Sequence, residues 1–179
     1  MAKGEDLRVV KSIREIKQAF LRLILVKPMD KIKISDIAEE ALINRKTFYR
    51  HFTVLSDVPK RICSDFAEEL SDGLKALEPE NLRGGVSLFY HFLNTDNPSL
   101  QKLFFDNEYL SYFRGLEGQF LNDDFFKKFY DRMAVPEIGP GYFSAMTDIY
   151  LRWRAQDGPK TDLDTLAGQA ADLLLNGLR

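Results

Sequence analysis

The sequence predicts an all-α chain in two parts. An N-terminal module of three helices spans residues 1–55, and a long helix from residue 56 joins it to a larger helical domain over 56–179. Three observations carry this. Apolar residues recur at i, i+3, i+4 and i+7 through the first 77 residues, the repeat of one helix face. Residues that cap helices stand just ahead of these runs. Aromatic side chains crowd into about fifty residues between 81 and 133, enough for the core of a helical bundle.

The first predicted helix, 9–26, carries Val9, Ile13, Ile16, Phe20, Leu23 and Ile24 on one stripe. Arg8, Lys11, Arg14, Lys17 and Arg22 cover its other faces, a pattern read as a solvated surface. Ile34, Ile37, Ala38 and Ala41 form the stripe of a short second helix, with Ser35 as its expected cap. A third follows almost at once. Asn44 is a good N-cap, and Phe48 and Phe52, four apart, make a narrow apolar stripe whose burial turns Lys46, Thr47 and Arg50 outward. Two short helices around a tight turn, the second presenting basic and hydrogen-bonding side chains, describe a helix-turn-helix.

Ser56 is the expected cap of the long helix, with Pro59 in its first turn, where no intrahelical donor is lost. Val58, Ile62, Phe66, Leu70, Leu74 and Leu77 line one side to about Ala76, after which Pro79 and Gly84-Gly85 are turn signals. Asn97-Pro98 starts another helix and Asp123 caps or interrupts the next. Pro136 to Gly141 breaks the chain again. Two final helices are expected over Tyr142–Gln156 and Asp162–Leu178, joined by Asp157-Gly158-Pro159-Lys160 with Thr161 as cap.

The formal net charge of -2 hides an asymmetry. Residues 1–62 hold 14 Lys/Arg against 8 Asp/Glu, while 63–179 hold 11 against 19. The front third can attract a polyanion, and the remainder cannot. Cys63 lies at helical spacing among Ile62, Phe66 and Leu70, so it reads as a small buried hydrophobe. No leader-like apolar segment opens the chain and no apolar run approaches membrane-spanning length, so a cytoplasmic protein without membrane contact is expected.

Residues Ile37-Ala38-Glu39-Glu40-Ala41-Leu42-Ile43-Asn44-Arg45-Lys46-Thr47-Phe48-Tyr49-Arg50-His51-Phe52 resemble the DNA-binding end of the TetR/AcrR repressor family, whose pattern runs I-A-x-x-A-G-V-S-x-x-T-L-Y-x-Y/H-F. All but one position match or are conservatively replaced. The exception is Leu42, where the family has Gly and where a positive φ would strain a leucine. Leu55 also departs, standing where a phosphate-touching Lys is common; Lys60 and Arg61 are its possible substitutes. Residues Tyr150 to Pro159 look like the family's penultimate helix and its turn. The resemblance implies phosphate contacts from Asn44, Tyr49 and His51, beside Lys46, Thr47 and Arg50 facing the major groove and Arg45 reaching base edges or phosphate. Tyr49 is equally readable as a packing ring, and His51 as a cap for the helix end.

The aromatic region suggests a ligand pocket drawn from Phe89, His91, Phe92, Phe104, Tyr109, Tyr112, Phe113, Tyr130 and Trp153, although each ring alone is better explained as core. Leu163, Leu166, Ala167, Ala170 and Leu174 on the last helix, with Ser144 and Ala145 on the one before, suggest a four-helix interface between two copies, as the resemblance also implies. The competing reading is a helical hairpin within one chain.

Enzymatic chemistry finds no support. Two His and one Cys cannot assemble a zinc-type ligand set, no phosphate-binding Gly loop is present, and adjacent carboxylates such as Glu68-Glu69 point apart on a helix. No metal or cofactor is expected. The expected function is a TetR-like homodimeric regulator of transcription, a repressor that holds a palindromic double-stranded DNA operator until a small, largely apolar or aromatic effector releases it. The alternative is an adaptor or co-activator of the same fold that binds a protein partner and no longer reads DNA.

Overall fold

The computed structural model describes residues 2–78, 80–133, 135–156 and 161–177. Among them the chain is all-helical, as the sequence predicts. In order it forms α1 (Ala2–Leu23), α2 (Ile34–Glu40), α3 (Arg45–Tyr49), α4 (Asp57–Lys75), α5 (Leu82–Leu93), α6 (Pro98–Phe105), α7 (Leu110–Leu121), α8 (Asp124–Tyr130), α9 (Gly139–Arg154) and α10 (Leu163–Gly177). The chain divides into two compact units, 1–65 with 96–113, and 66–95 with 114–179, so the cuts fall inside α4 and α7. The first unit is larger than residues 1–55, because the start of α4, all of α6 and the start of α7 belong with the first three helices.

In this first unit the apolar stripe of α1 buries Ile16, Ala19, Phe20 and Leu23. It meets α2, which contributes Ile37 and Ala38, and α6, which contributes Leu103 and Phe104. The segment that follows α6 is tied back at three points. Tyr109 sets its ring edge-on to Phe20 with centroids 6.4 Å apart, the Glu108 carboxylate accepts the Met29 N–H at 2.7 Å, and the Tyr112 hydroxyl lies 3.8 Å from the Met29 sulfur. Cys63 is buried here and its thiol pKa is pushed up to about 12 by desolvation, so it acts as a small hydrophobe rather than a nucleophile.

In the second unit α10 lies along α5. Val86, Phe89, Tyr90 and Leu93 are buried on α5, and Ala167, Ala170, Ala171 and Leu174 on α10. The small residues of α10 let the two helices approach closely. Around them the rings interlock: Phe89 stacks on Phe120 at 4.7 Å, Phe120 meets Phe126 at 4.7 Å, and Phe126 meets Phe143 at 5.6 Å. Two buried tyrosines of this unit find acceptors, Tyr90 donating to the Met146 carbonyl at 2.9 Å and Tyr130 to the Leu121 carbonyl at 2.6 Å.

Several sequence expectations hold at the atomic level. Asn44, Asn97 and Asp123 cap α3, α6 and α8 through their side-chain oxygens. Others are corrected. Ser35 lies within α2 and does not cap it; the carboxylate of Asp36 takes the Lys33 N–H at 3.0 Å instead. Asp162, not Thr161, accepts the Thr165 N–H at the start of α10. In both places the start of the helix is fixed by a carboxylate accepting an amide, a charge-assisted bond stronger than one to a neutral hydroxyl. Gly84 and Gly85 are not a turn. They sit in the first turn of α5 under the Asn81 cap, and a side chain at Gly85 would strike the Phe125 ring at 2.6 Å. Gly139-Pro140-Gly141 likewise opens α9 instead of preceding it, because Pro is tolerated in a first turn. Pro79, the Asp157–Lys160 turn and Leu178 lie outside the described residues.

Candidate nucleic-acid interface

Five residues cannot hold a helix alone, since nucleation outweighs the few hydrogen bonds gained. α3 is held from both ends and from beneath. Asn44 Oδ1 accepts the Thr47 N–H at 2.8 Å and the Thr47 hydroxyl at 3.1 Å, which leaves the Asn44 amide N–H groups free to donate. Phe48 is fully buried and Phe52 nearly so, their rings 5.6 Å apart. Burial of two such rings stabilises by roughly 1.5–3 kcal/mol each. With that face down, Arg45, Lys46, Tyr49 and Arg50 are exposed, and Thr47 and His51 are half-buried. Tyr49 sets its ring edge against Phe48 at 5.7 Å yet stays 58% exposed, so it is anchored by packing while remaining accessible.

The turn ahead of α3 keeps the backbone that a glycine would take. Leu42 has φ 54° and is 93% exposed, so the strain expected of a leucine there is present and its side chain gains nothing by burial. The Ile43 N–H closes the turn on the Ala38 carbonyl at 2.9 Å.

Charge pairing separates the cations of this unit into two sets. Lys17 pairs with Asp65 at 2.5 Å, Arg22 with Glu40 at 2.5 Å, Lys27 with Asp36 at 3.0 Å and Arg61 with Asp65 at 2.6 Å. Among the described residues, no carboxylate pairs with Arg8, Lys11, Lys33, Arg45, Lys46 or Arg50. In the first set Lys17 joins α1 to α4 and Arg22 joins α1 to α2, Lys27 ties the segment after α1 to α2, and Arg61 pairs within α4; the second set sends its field outward. Lys60, offered as a substitute for the position of Leu55, lies 3.9 Å from Asp57, and Arg61 is engaged by Asp65.

Arg8, Val9 and Ser12 of α1 and Thr47, Arg50 and His51 at the end of α3 line one surface groove of roughly 500 Å³. Arg8 and Ser12 are one turn apart on α1, a spacing visible in the sequence, but their approach to α3 is a product of the fold.

The ligand-pocket candidates divide between the two units. Phe104, Tyr109, Tyr112 and Phe113 belong to the first unit, and Phe89, His91, Phe92, Tyr130 and Trp153 to the second. None lines the groove between Arg8 and Arg50. The rings fill space against each other, His91 is exposed and bonds Asp164 at 2.7 Å, and the Trp153 N–H donates to the Thr161 carbonyl at 2.8 Å. The dimer candidates also divide. Ala167, Ala170 and Leu174 are buried within the chain, on the helix that packs along α5. Leu163, Leu166 and Ser144 are half-buried, and Ala145 is exposed.

The fold and this face together define an all-helical chain with an uncompensated basic surface on a short capped helix. No family model matches the chain, and no curated protein does. Among solved structures, the TetR family repressor AlkX from Dietzia sp. strain DQ12-45-1b, implicated in biodegradation of n-alkanes, is similar over 92% of this chain and 96% of that one, at 16% identity and a TM-score of 0.45. Among the described residues, no helix is long and apolar enough to cross a membrane, and no cluster of His, Cys, Asp or Glu could hold a metal ion.

Proposed function

We propose that the chain is a TetR-like DNA-binding regulator of transcription, a repressor acting as a homodimer on a palindromic operator. One observation carries this reading: α3 is held by its cap and two buried rings, while Arg45, Lys46 and Arg50 stand exposed with no carboxylate to neutralise them. Lys46 and Arg50 meet base edges, and Arg45 meets bases or phosphate. Thr47 has given its hydroxyl proton to Asn44, so towards a base it offers an acceptor oxygen or its methyl group. Asn44, through its free amide N–H groups, Tyr49 and His51 take backbone phosphates.

So short a helix reads few bases, and two copies on a palindrome multiply the discrimination, with half-sites about 34–36 Å apart. Because α5 covers the inner stripe of α10, the dimer surface of this proposal lies on the outward residues, Ala145 of α9 with Leu166 and Leu173 of α10. An apolar or aromatic effector acts by separating packed rings of the aromatic region, and releases DNA to the extent that it binds the opened conformation better. Coupling of about 1.4 kcal/mol lowers DNA affinity tenfold. The adaptor reading gains nothing from Leu42, since the turn backbone takes the glycine conformation despite the substitution.

The test is a gel shift with DNA from upstream of the chain's own gene against random DNA. Lys46→Ala and Tyr49→Ala should each weaken binding by about 1–3 kcal/mol, with unchanged helical content. Unaltered affinity in both variants removes the interface, and equal retention on both DNAs with no response to salt favours the adaptor.

A further inference from the structure

We propose that Arg8 of α1 is a phosphate-binding residue, so that the DNA-binding surface extends from α3 across a groove onto the first helix. This rests on the DNA-binding reading above and assigns it a second structural element. The groove carries a guanidinium on each wall, Arg8 from α1 and Arg50 from the end of α3, with His51 beside the latter. No described carboxylate lines it. The two hydroxyls present have already given their protons away: Ser12 Oγ donates to the Arg8 carbonyl at 2.9 Å, and Thr47 Oγ1 to Asn44 Oδ1 at 3.1 Å. The donors left to a bound group are therefore the guanidinium and imidazole N–H groups, a set that complements an anion with several acceptor oxygens.

Cations that share a groove with no counter-charge repel each other, and neither Arg8 nor Arg50 gains an ion pair within the described chain to offset this. A phosphate between them removes the repulsion. The donors come from two separate helices and adjoin the exposed face of α3 that carries Lys46 and Tyr49. That layout suits a polyphosphate strand running past α3 better than a single small anion. Lys11, also unpaired and three residues along α1, extends the same charge.

The test measures binding of the full-length chain to a 30-base-pair random-sequence duplex and to its upstream DNA over a range of salt. One phosphate contact contributes about 0.9 to the slope of log affinity against log salt, or roughly eightfold in affinity at 0.1 M relative to 1 M. Arg8→Ala should lower the slope by about that amount and weaken both duplexes equally, Arg8→Lys should restore most of the slope, and Lys75→Ala should change nothing. Circular dichroism and thermal melting establish that each variant folds; Arg8 is exposed, and Arg8→Lys tests the charge without shortening the side chain. An unchanged slope in Arg8→Ala overturns the proposal, as does a loss confined to one duplex. Saturable binding of inorganic phosphate with no change in duplex binding marks a small-anion site and also overturns it. Absence of any duplex binding by the unaltered chain instead removes the DNA-binding reading itself.

Discussion

α3 and α10 show two opposite ways of placing a helix. α10 has fifteen residues and is seated along α5, so that Ala167, Ala170, Ala171 and Leu174 vanish from the surface. Even its charges are used within the chain: Asp172 pairs with Arg83 at 2.5 Å, and Asp164 bonds His91 at 2.7 Å. α3 has five residues, buries only Phe48 and leaves its cations unpaired. A helix seated along its inner stripe offers another molecule only its outward residues, Leu173 among them. A helix held by a cap and two rings keeps nearly everything, and its geometry depends on very few groups.

That contrast breaks first at Phe48. Phe48→Ala should destabilise the chain by about 3–5 kcal/mol, because a fully buried ring leaves a cavity under a helix otherwise held only by its cap and Phe52. Denaturant unfolding measures it, and a loss under 1 kcal/mol would mean that α3 has another support.

A smaller effect sharpens the comparison at the turn. Leu42→Gly relieves the positive φ, worth roughly 1–2 kcal/mol, but frees the unfolded chain by about 0.4–1 kcal/mol. A net stabilisation of about 0.5–1 kcal/mol should follow. A lower melting temperature in this variant would show that the exposed leucine makes a contact that outweighs the strain.

The smallest effect concerns pH. The Lys33 backbone N–H first, then Lys27, hold the Asp36 carboxyl below its ordinary value, and bonds from His91 and then Ser87 do the same for Asp164. A depressed carboxyl pKa stabilises the fold above the unfolded pKa, and that contribution disappears as pH falls through the folded one. The melting temperature should therefore drop on acidification below about pH 4, the ordinary carboxylate range. Asp36→Asn and Asp164→Asn should each make the drop shallower. Asp164 is exposed and Asp36 half-buried at the surface, so solvent screens both and each change should be slight.

Much of the fold was legible because it is written in local terms. The stripes of α1, α2 and α4 and the caps at Asn44, Asn97 and Asp123 need only residues a few positions apart. Where two capping residue types stand side by side, composition does not say which one meets the amide: Asp36 and Asp162 do so in the fold, not Ser35 and Thr161. Gly84-Gly85 looked like a break because conformational freedom was visible, whereas the close approach of Phe125 that calls for a small residue was not.

By itself the sequence determined the apolar stripes of α1, α2 and α4, the outward turn of Lys46 and Arg50, and the excess of positive charge in the first third, all properties of periodicity and composition. Only the tertiary structure decided which cations are neutralised, which stripe α10 spends on α5, and that Arg8 shares a groove with Arg50 and His51. These depend on pairs of residues far apart in the chain, and no local pattern states whether two such faces will meet or which of them will remain uncovered.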